Sequence, residues 1–168
     1  MEIKLPLYDI LNIFLTGLVF IGGCVLLFPQ YIVDLFNNEI IKGLSAGPEI
    51  VITVCIFAIA YETGLIINRI GSTIIEPVFK KTKLIPFHDN YSLFNEKKKQ
   101  YPIISTLSRE YALSRTGIVL FLLLAVLALF SSTKLLSIPL LIIAIIFYVS
   151  CRKHAGKIVK LMSDSHDN

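Results

Sequence analysis

Residues 50–71, IVITVCIFAIAYETGLIINRIG, decide the fold of this chain. The first twelve residues carry no charge, and the stretch then places Glu62, Asn68 and Arg69 in the same run. A mainly apolar run of about 20 residues is long enough for an α-helix to cross a hydrocarbon core about 30 Å thick. The stretch therefore predicts a transmembrane helix over about 49–70 with an ionisable residue, Glu62, in its interior.

The composition of the whole chain also indicates a membrane protein. Of the 168 residues, 55% are hydrophobic and 17% are charged, and the mean hydropathy is +0.74. Soluble domains usually contain about 25% charged residues. We therefore expect an all-α integral membrane protein that forms a single membrane domain over 1–168, in contact with the lipid bilayer.

Four apolar stretches predict four transmembrane helices, and two polar stretches predict cytosolic segments. The predicted spans are about 11–32, 49–70, 116–130 and 135–149. The predicted cytosolic segments are 71–115, which is basic and partly helical, and the tail 151–168.

The distribution of Lys and Arg predicts the orientation of the chain. The region from Arg69 to Arg115 contains nine such residues, whereas Lys42 and Lys134 stand alone in the other two connections. Cytoplasmic loops of membrane proteins are enriched in Lys and Arg. With an even number of spans, both termini are therefore expected in the cytosol, with the protein in the bacterial inner membrane.

Three charged residues of the second helix, Glu62, Arg69 and Glu76, are spaced by seven and so share one helical stripe. Counted from Glu49 at the outer side, Glu62 lies about 20 Å deep at a rise of 1.5 Å per residue. Arg69 lies near the inner interface, where a long side chain can reach water. A charge in hydrocarbon costs at least about 2.5–3.5 kcal/mol, so Glu62 is expected to face the bundle interior, water or a partner, or to be protonated.

Two interpretations of Glu62 remain open from the sequence. In the functional one, Glu62 lines an aqueous path or a subunit interface, with Asn68 and Arg69 beneath it. In the structural one, a neutral Glu62 makes a single hydrogen bond to a neighbouring helix, for example to the hydroxyl group of Thr16.

Small residues on an adjacent stripe predict close helix packing. Gly64, Gly71 and Ser72 recur with Asn68 at about helical spacing, and small residues let transmembrane helices approach closely. This pattern favours packing over catalysis.

Charged residues near the inner boundary predict specific contacts. Glu76, at the base of the second helix, is expected to pair with Arg109 or Arg115, which precede the third span. Such a pair would join the inner ends of two helices.

The lysine run Lys97, Lys98 and Lys99 is expected to help set the topology and to contact anionic lipid or a partner protein. A cytosolic partner would bind through 78–115. Nucleic-acid binding is disfavoured because the basic residues collect beside apolar spans.

The sequence lacks the common catalytic and metal-binding motifs, including H-E-x-x-H, the P-loop and G-x-S-x-G. His88 has no second histidine nearby, and Cys24, Cys55 and Cys151 share no metal-ligand spacing. We therefore expect no metal, no cofactor and no enzymatic activity.

Two stretches carry a resemblance to a known group of proteins. They are AYETGLIINRIGSTIIEPVFKK at 60–81 and LSREYALSRTGIVLFLLL at 107–124. Residues 60–124 thereby resemble small four-helix bacterial membrane proteins, some of which are membrane components of anti-phage defence systems. The resemblance supplies no catalytic residue, but it implies an oligomeric effector or accessory protein that perturbs membrane integrity.

These observations favour an oligomeric membrane protein that forms a gated pore or otherwise perturbs the membrane. One alternative is a membrane anchor or accessory subunit for a cytosolic partner. Another is a membrane enzyme that acts on lipid substrates with Glu62, Glu76 and His88.

Overall fold

The structure, a computed structural model, describes residues 7–30, 33, 46–86 and 101–163. All regular secondary structure in these residues is helical. In chain order the elements are α1 (Leu7–Leu27), α2 (Ala46–Ile70), a π-helical turn (Gly71–Ile75), α3 (Glu76–Lys81), α4 (Pro102–Phe130), a 3-10 turn (Lys134–Leu136) and α5 (Ser137–Ser163).

Four helical stretches among the described residues are long and apolar enough to cross a membrane. They are Leu7–Leu27, Ile50–Lys81, Pro102–Phe130 and Lys134–Met162. The shortest has 21 residues, which corresponds to about 30 Å at a rise of 1.5 Å per residue. Among the described residues, the predicted all-α class with four potential spans is confirmed, and its length and hydropathy are compatible with a multi-pass membrane protein.

Several helices extend beyond the apolar stretches that predict the spans. α4 begins at Pro102, before the predicted span at 116–130, and α5 continues to Ser163, past the predicted span at 135–149. Proline is tolerated in the first turn because its missing N–H has no intrahelical acceptor there. Polar residues that flank the apolar stretches are therefore held by helical backbone.

The chain divides into two compact units, which are considered separately below. Unit 1 contains 1–67 and 120–141, and unit 2 contains 68–119 and 142–168. Both units contain parts of α4 and α5.

In unit 1, α1 and α2 approach each other closely at two glycines. A Cβ atom on Gly17 would overlap the carbonyl oxygen of Ala60, and one on Gly64 would overlap that of Ile13. Small residues allow the backbones of membrane helices to come this close. The contact fixes which face of α2 is turned towards α1.

In unit 2, α4 and α5 pack together around a buried core. The hydroxyl oxygens of Ser114 and Ser150 are 3.0 Å apart, and Gly117 leaves room for the ring of Phe147. The buried members of the core are Ile85, Tyr111, Ile118, Cys151, Ala155 and Ile158. The basic end of α5 is thus joined to the polar first half of α4.

Candidate functional site

Two groups of ionisable residues are candidates for function, and the first is a buried ion pair in unit 2. Nη1 of Arg115 donates to Oε2 of Glu76, and their side chains are 11% and 18% exposed. Nζ of Lys80, one turn after Glu76, lies 3.3 Å from Oε1. Both carboxylate oxygens of Glu76 therefore face a cation. The sequence left Arg109 and Arg115 as alternative partners, and Arg115 forms this ion pair.

The side chain of Arg115 is held in place by packing as well as by charge. A Cβ atom on Gly71 would lie 3.3 Å from Nε and 3.4 Å from Cγ of Arg115. The guanidinium carbon is 5.8 Å from the centre of the Tyr111 ring, which is within the range of a cation–π interaction. Nε of Arg115 is buried without a hydrogen-bond partner among the described residues.

A π-helical turn at Gly71–Ile75 positions Glu76 for this contact. The N–H of Glu76 donates to the carbonyl oxygen of Gly71, five residues earlier. Pro77 has no N–H with which to continue the α-helical pattern, and the hydroxyl groups of Ser72 and Thr73 donate to the carbonyl of Arg69 at 3.0 and 2.8 Å. The sequence predicts that the helix ends near Glu76, but the wider turn carries it on to Lys81.

The π turn also changes the direction of Glu76. One additional residue in a turn rotates the residues after it by about 100° relative to a continuous α-helix. Arg69 is exposed, whereas Glu76 is mostly buried. Glu76 therefore does not follow Arg69 along the stripe that their spacing predicts.

Asn68 makes a polar contact between α2 and α4 in unit 2. Its Oδ1 atom lies 3.0 Å from the hydroxyl oxygen of Thr116, and Thr116 is buried. The sequence left two roles open for Asn68, one beneath Glu62 along an aqueous path or an interface and one in helix packing. In the structure its side chain bonds to another helix of the same chain.

Glu62, in unit 1, lies on the outward face of α2. Its side chain is exposed, whereas Ala60, Gly64 and Ile67 on the opposite side of the helix are buried. The hydroxyl group of Thr16 donates to the carbonyl oxygen of Asn12 at 2.8 Å, and no hydrogen bond joins it to Glu62 among the described residues. Within the part of the chain that the structure describes, no hydrogen bond or ion pair involves Glu62.

Five further exposed residues of α2 lie on the same side as Glu62. At 100° per residue, each of them falls within about 40° of Glu62 around the helix axis. With Glu62 they form a surface that we call the Glu62 seam: Val51, Cys55, Ala58, Glu62, Ile66 and Arg69. Glu62 is the only carboxylate of this seam and lies near its centre.

The other residues singled out by the sequence lie in different surroundings. Gly64 and Gly71 are buried at close contacts, whereas the hydroxyl group of Ser72 bonds within its own helical stretch. Arg109 is exposed. The lysines Lys97, Lys98 and Lys99 and the histidine His88 lie outside the described residues.

Sequence reasoning missed three contributors to packing, namely Gly17, Ser114 and Ser150. At Gly17 the backbone of α1 contacts the backbone of α2. The hydroxyl groups of Ser114 and Ser150 are in hydrogen-bond contact between α4 and α5. A usable signal was present for Ser114, because it lies three residues before Gly117 and small residues at such spacing favour helix contact. Gly17 has no comparable signal, since Gly22 in the same helix has no neighbour around its Cβ position.

Metal-ligating residues do not gather in the part of the chain that the structure describes. It contains no group of three or more His, Cys, Asp or Glu side chains that could hold a metal ion. The thiols of Cys24, Cys55 and Cys151 are free and differ in exposure, Cys55 being exposed and Cys151 buried.

The fold and these two groups define a class: a small α-helical protein with four potential membrane spans, a buried ion pair and an outward-facing carboxylate. Comparisons of the chain with protein families, with curated proteins and with solved structures found no match.

Proposed function

We propose that this chain is a homo-oligomeric protein of the bacterial inner membrane that forms a gated pore or otherwise perturbs the membrane. The observation that carries the proposal is the outward direction of Glu62 on a face of α2 whose exposed residues from Val51 to Ile66 are otherwise uncharged. An ionised carboxylate facing lipid would cost at least about 2.5–3.5 kcal/mol. Contact with other subunits or with water between them removes most of that cost.

Packing within each unit favours a path between chains over a path inside one chain. In unit 1, the backbones of α1 and α2 meet at Gly17 and Gly64. In unit 2, α4 is buried without interruption from Ser114 to Val119. An aqueous path that Glu62 lines would therefore be formed by several subunits.

The proposal includes the orientation predicted from charge, with both termini and the segment 71–115 in the cytosol. Residues 60–124 resemble small four-helix bacterial membrane proteins, some of which are membrane components of anti-phage defence systems. This resemblance is the ground for proposing a role in which permeabilisation of the membrane stops phage propagation. In that role, a closed state in uninfected cells would be required.

Ion leakage from lipid vesicles that contain the purified protein tests the proposal. We expect the leakage rate to rise more steeply than linearly with the number of chains per vesicle, because several chains form one conducting unit. Glu62→Leu should reduce this leakage, whereas Val54→Leu, an exposed apolar replacement off the Glu62 seam, should leave it unchanged. Wild-type vesicles that remain sealed at every protein density would contradict the proposal.

A second function, a membrane anchor for a cytosolic protein, is favoured by the basic end of α5. Four cationic residues there are exposed and lie within an arc of about 140° on the helix: Arg152, Lys153, Lys157 and Lys160. An acidic partner surface would complement them. If the chain is an anchor rather than a pore, vesicles that contain the wild-type protein should remain sealed, and replacement of all four residues by Gln should abolish partner binding.

A further inference from the structure

We infer that the basic end of α5 binds the headgroup of an anionic phospholipid over the bare backbone of Gly156. The phosphate lies among three cationic side chains, those of Arg152, Lys153 and Lys157. The lipid belongs to the leaflet that meets the C-terminal half of α5. The inference goes beyond the proposed function: it rests on the membrane insertion which that proposal includes, but it requires neither a pore nor an oligomer.

Arg152, Lys153 and Lys157 are turned away from the protein. All three residues are exposed, and no hydrogen bond or ion pair involves them within the part of the chain that the structure describes. On the opposite side of the helix, Cys151 and Ala155 are buried in the core shared with α4. The packing against α4 therefore leaves the three charges available to a ligand outside the chain.

The cations lie on the same face of α5 as exposed aliphatic residues earlier in the helix. At 100° per residue, Ile142, Ile145 and Val149 fall within the arc of about 140° that the cations occupy, and all three are exposed. In a membrane, the acyl chains of lipids cover this apolar part of the face. A lipid whose chains lie against 142–149 carries its headgroup at the level of the cations that follow.

Distances along the helix place the cations at the depth of the headgroups. The polar layer on each side of the hydrocarbon core is about 5–7 Å thick. At 1.5 Å per residue, Arg152 lies about 4.5 Å beyond Val149, and Lys157 lies about 12 Å beyond it. Long cationic side chains near a membrane surface can extend along the helix towards the polar layer. A phospholipid phosphate is therefore the nearest anion, whereas an acidic protein would first have to displace lipid from Arg152.

Gly156 leaves a gap in the helix surface between the cations. A Cβ atom at this position would meet nothing within 4 Å. Around the helix axis, Gly156 lies about 40° from Arg152 and about 60° from Lys153, which is on its other side. Without a side chain at this position, a phosphate can approach the helix closely. Cations on both sides can then bind it through charge-assisted hydrogen bonds.

Competition between two lipids tests the inference. The purified full-length protein in detergent is mixed with equal amounts of phosphatidylglycerol and phosphatidylcholine that have identical acyl chains, and the lipids that stay bound are counted by native mass spectrometry. We expect the wild-type protein to retain phosphatidylglycerol at least about fivefold more than phosphatidylcholine, which is the effect of one cation near an anionic membrane surface. Equal retention would overturn the inference and would leave the basic face to an acidic protein.

Charge variants test the assignment to α5. Arg152→Gln, Lys153→Gln and Lys157→Gln, combined in one protein, should bring the ratio of the two lipids close to one. Arg152→Gln alone should lower the ratio, whereas Lys134→Gln, the same change of charge at an exposed residue on the other end of the span, should leave it unchanged. If the triple variant kept the wild-type ratio, the assignment to α5 would be wrong.

Filling the gap at Gly156 distinguishes a defined site from diffuse attraction between cations and lipid. Gly156→Leu changes no charge, its Cβ atom meets nothing within 4 Å, and leucine is a better helix former than glycine, so the helical circular dichroism spectrum should be retained. The lipid ratio should fall several-fold, because the new side chain excludes the phosphate. Gly22→Leu, at another glycine with open surroundings, is the matched control and should keep the ratio. A wild-type ratio in Gly156→Leu would overturn the site.

The lipid measurement is independent of conduction, so the two proposals can fail separately. Wild-type vesicles that remain sealed would contradict the pore, but a lipid ratio that depends on Gly156 and the three cations would still support this site. A protein that leaks and yet retains both lipids equally would keep the proposed function and overturn this inference.

Discussion

Glu62 and Glu76 belong to one helical stretch, yet their surroundings are opposite. Both oxygens of Glu76 face cations of the same chain, Arg115 and Lys80. Glu62 is exposed on an apolar face and has no hydrogen bond or ion pair among the described residues. Cations of the same chain thus offset the cost of the Glu76 charge. The cost of a Glu62 charge next to lipid can be offset only by a group outside the chain.

The difference has a structural cause on each side. Glu76 is turned inward by the π-helical turn before Pro77, which displaces it from the stripe of Arg69. Glu62 is turned outward because Gly64 and Ala60, on the opposite face of α2, are committed to the contact with α1. The first arrangement stabilises the fold, and the second leaves a carboxylate available for assembly.

The largest predicted effect follows from breaking the internal pair. Arg115→Met leaves Glu76 with only the more exposed Lys80 as a cationic neighbour and should lower the free energy of unfolding by about 3 kcal/mol, the lower end of the range for a broken buried pair. Unfolding in detergent, followed by circular dichroism, measures the change. Lys81→Ala, at an exposed position, is the control and should change stability by less than about 0.5 kcal/mol.

The same pair can be removed as a unit. Arg115→Met combined with Glu76→Leu removes both charges of the buried pair, so most of the lost stability should return. If Arg115→Met alone were as stable as the wild-type protein, the ion pair would have no structural role, and the contrast with Glu62 would lose its basis.

A smaller effect is expected from the glycine contact that turns Glu62 outward. Gly64→Ala places a Cβ atom on the carbonyl oxygen of Ile13 and should destabilise the chain by about 1–3 kcal/mol through overpacking. Gly22→Ala meets nothing within 4 Å and should be neutral or slightly stabilising, since alanine is the better helix former. Equal melting temperatures for the two variants would show that α1 and α2 are not in this contact.

The hydrogen bond between Asn68 and Thr116 is expected to contribute less to stability than the glycine contact. Asn68→Ala and Thr116→Val should each cost about 0.5–1.5 kcal/mol. Because the two residues share one bond, the double variant should cost less than the sum of the single variants. Additive losses would contradict the contact that the structure shows at 3.0 Å.

The smallest effect on the stability of a single chain is expected at Glu62. Glu62→Leu removes no contact among the described residues and leaves Arg69 as the charged residue of the Glu62 seam. Its free energy of unfolding at high detergent concentration, where chains are separated, should match that of Val54→Leu within about 0.5 kcal/mol. A marked loss would mean that Glu62 supports the fold rather than assembly.

The helical class and the four apolar stretches could be predicted from sequence, because length and hydropathy decide both. The Glu76 contact could be narrowed to two arginines, since both precede the third span and a carboxylate near them needs a cation. The choice between them depends on Gly71, which lets Arg115 lie against the π-helical turn. Periodicity does not reveal such a turn, because it assumes 3.6 residues per turn throughout.

The direction of Glu62 could not be predicted for a related reason. The sequence identifies Glu62 as costly in lipid but does not determine which face of α2 meets α1. That face is selected by the match between Gly17 and Gly64, which are far apart in the chain. The predicted roles of Lys97, Lys98 and Lys99 lie outside the described residues and remain predictions.

The number of chains per particle in nanodiscs tests the central claim most directly, because the claim is that further copies of the chain cover the Glu62 seam. We predict several chains per wild-type particle and a shift towards single chains for Glu62→Leu, which no longer has a charge to shield from lipid. Val54→Leu should keep the wild-type number. Wild-type particles that contain only one chain, or a chain number that Glu62→Leu leaves unchanged, would contradict the account.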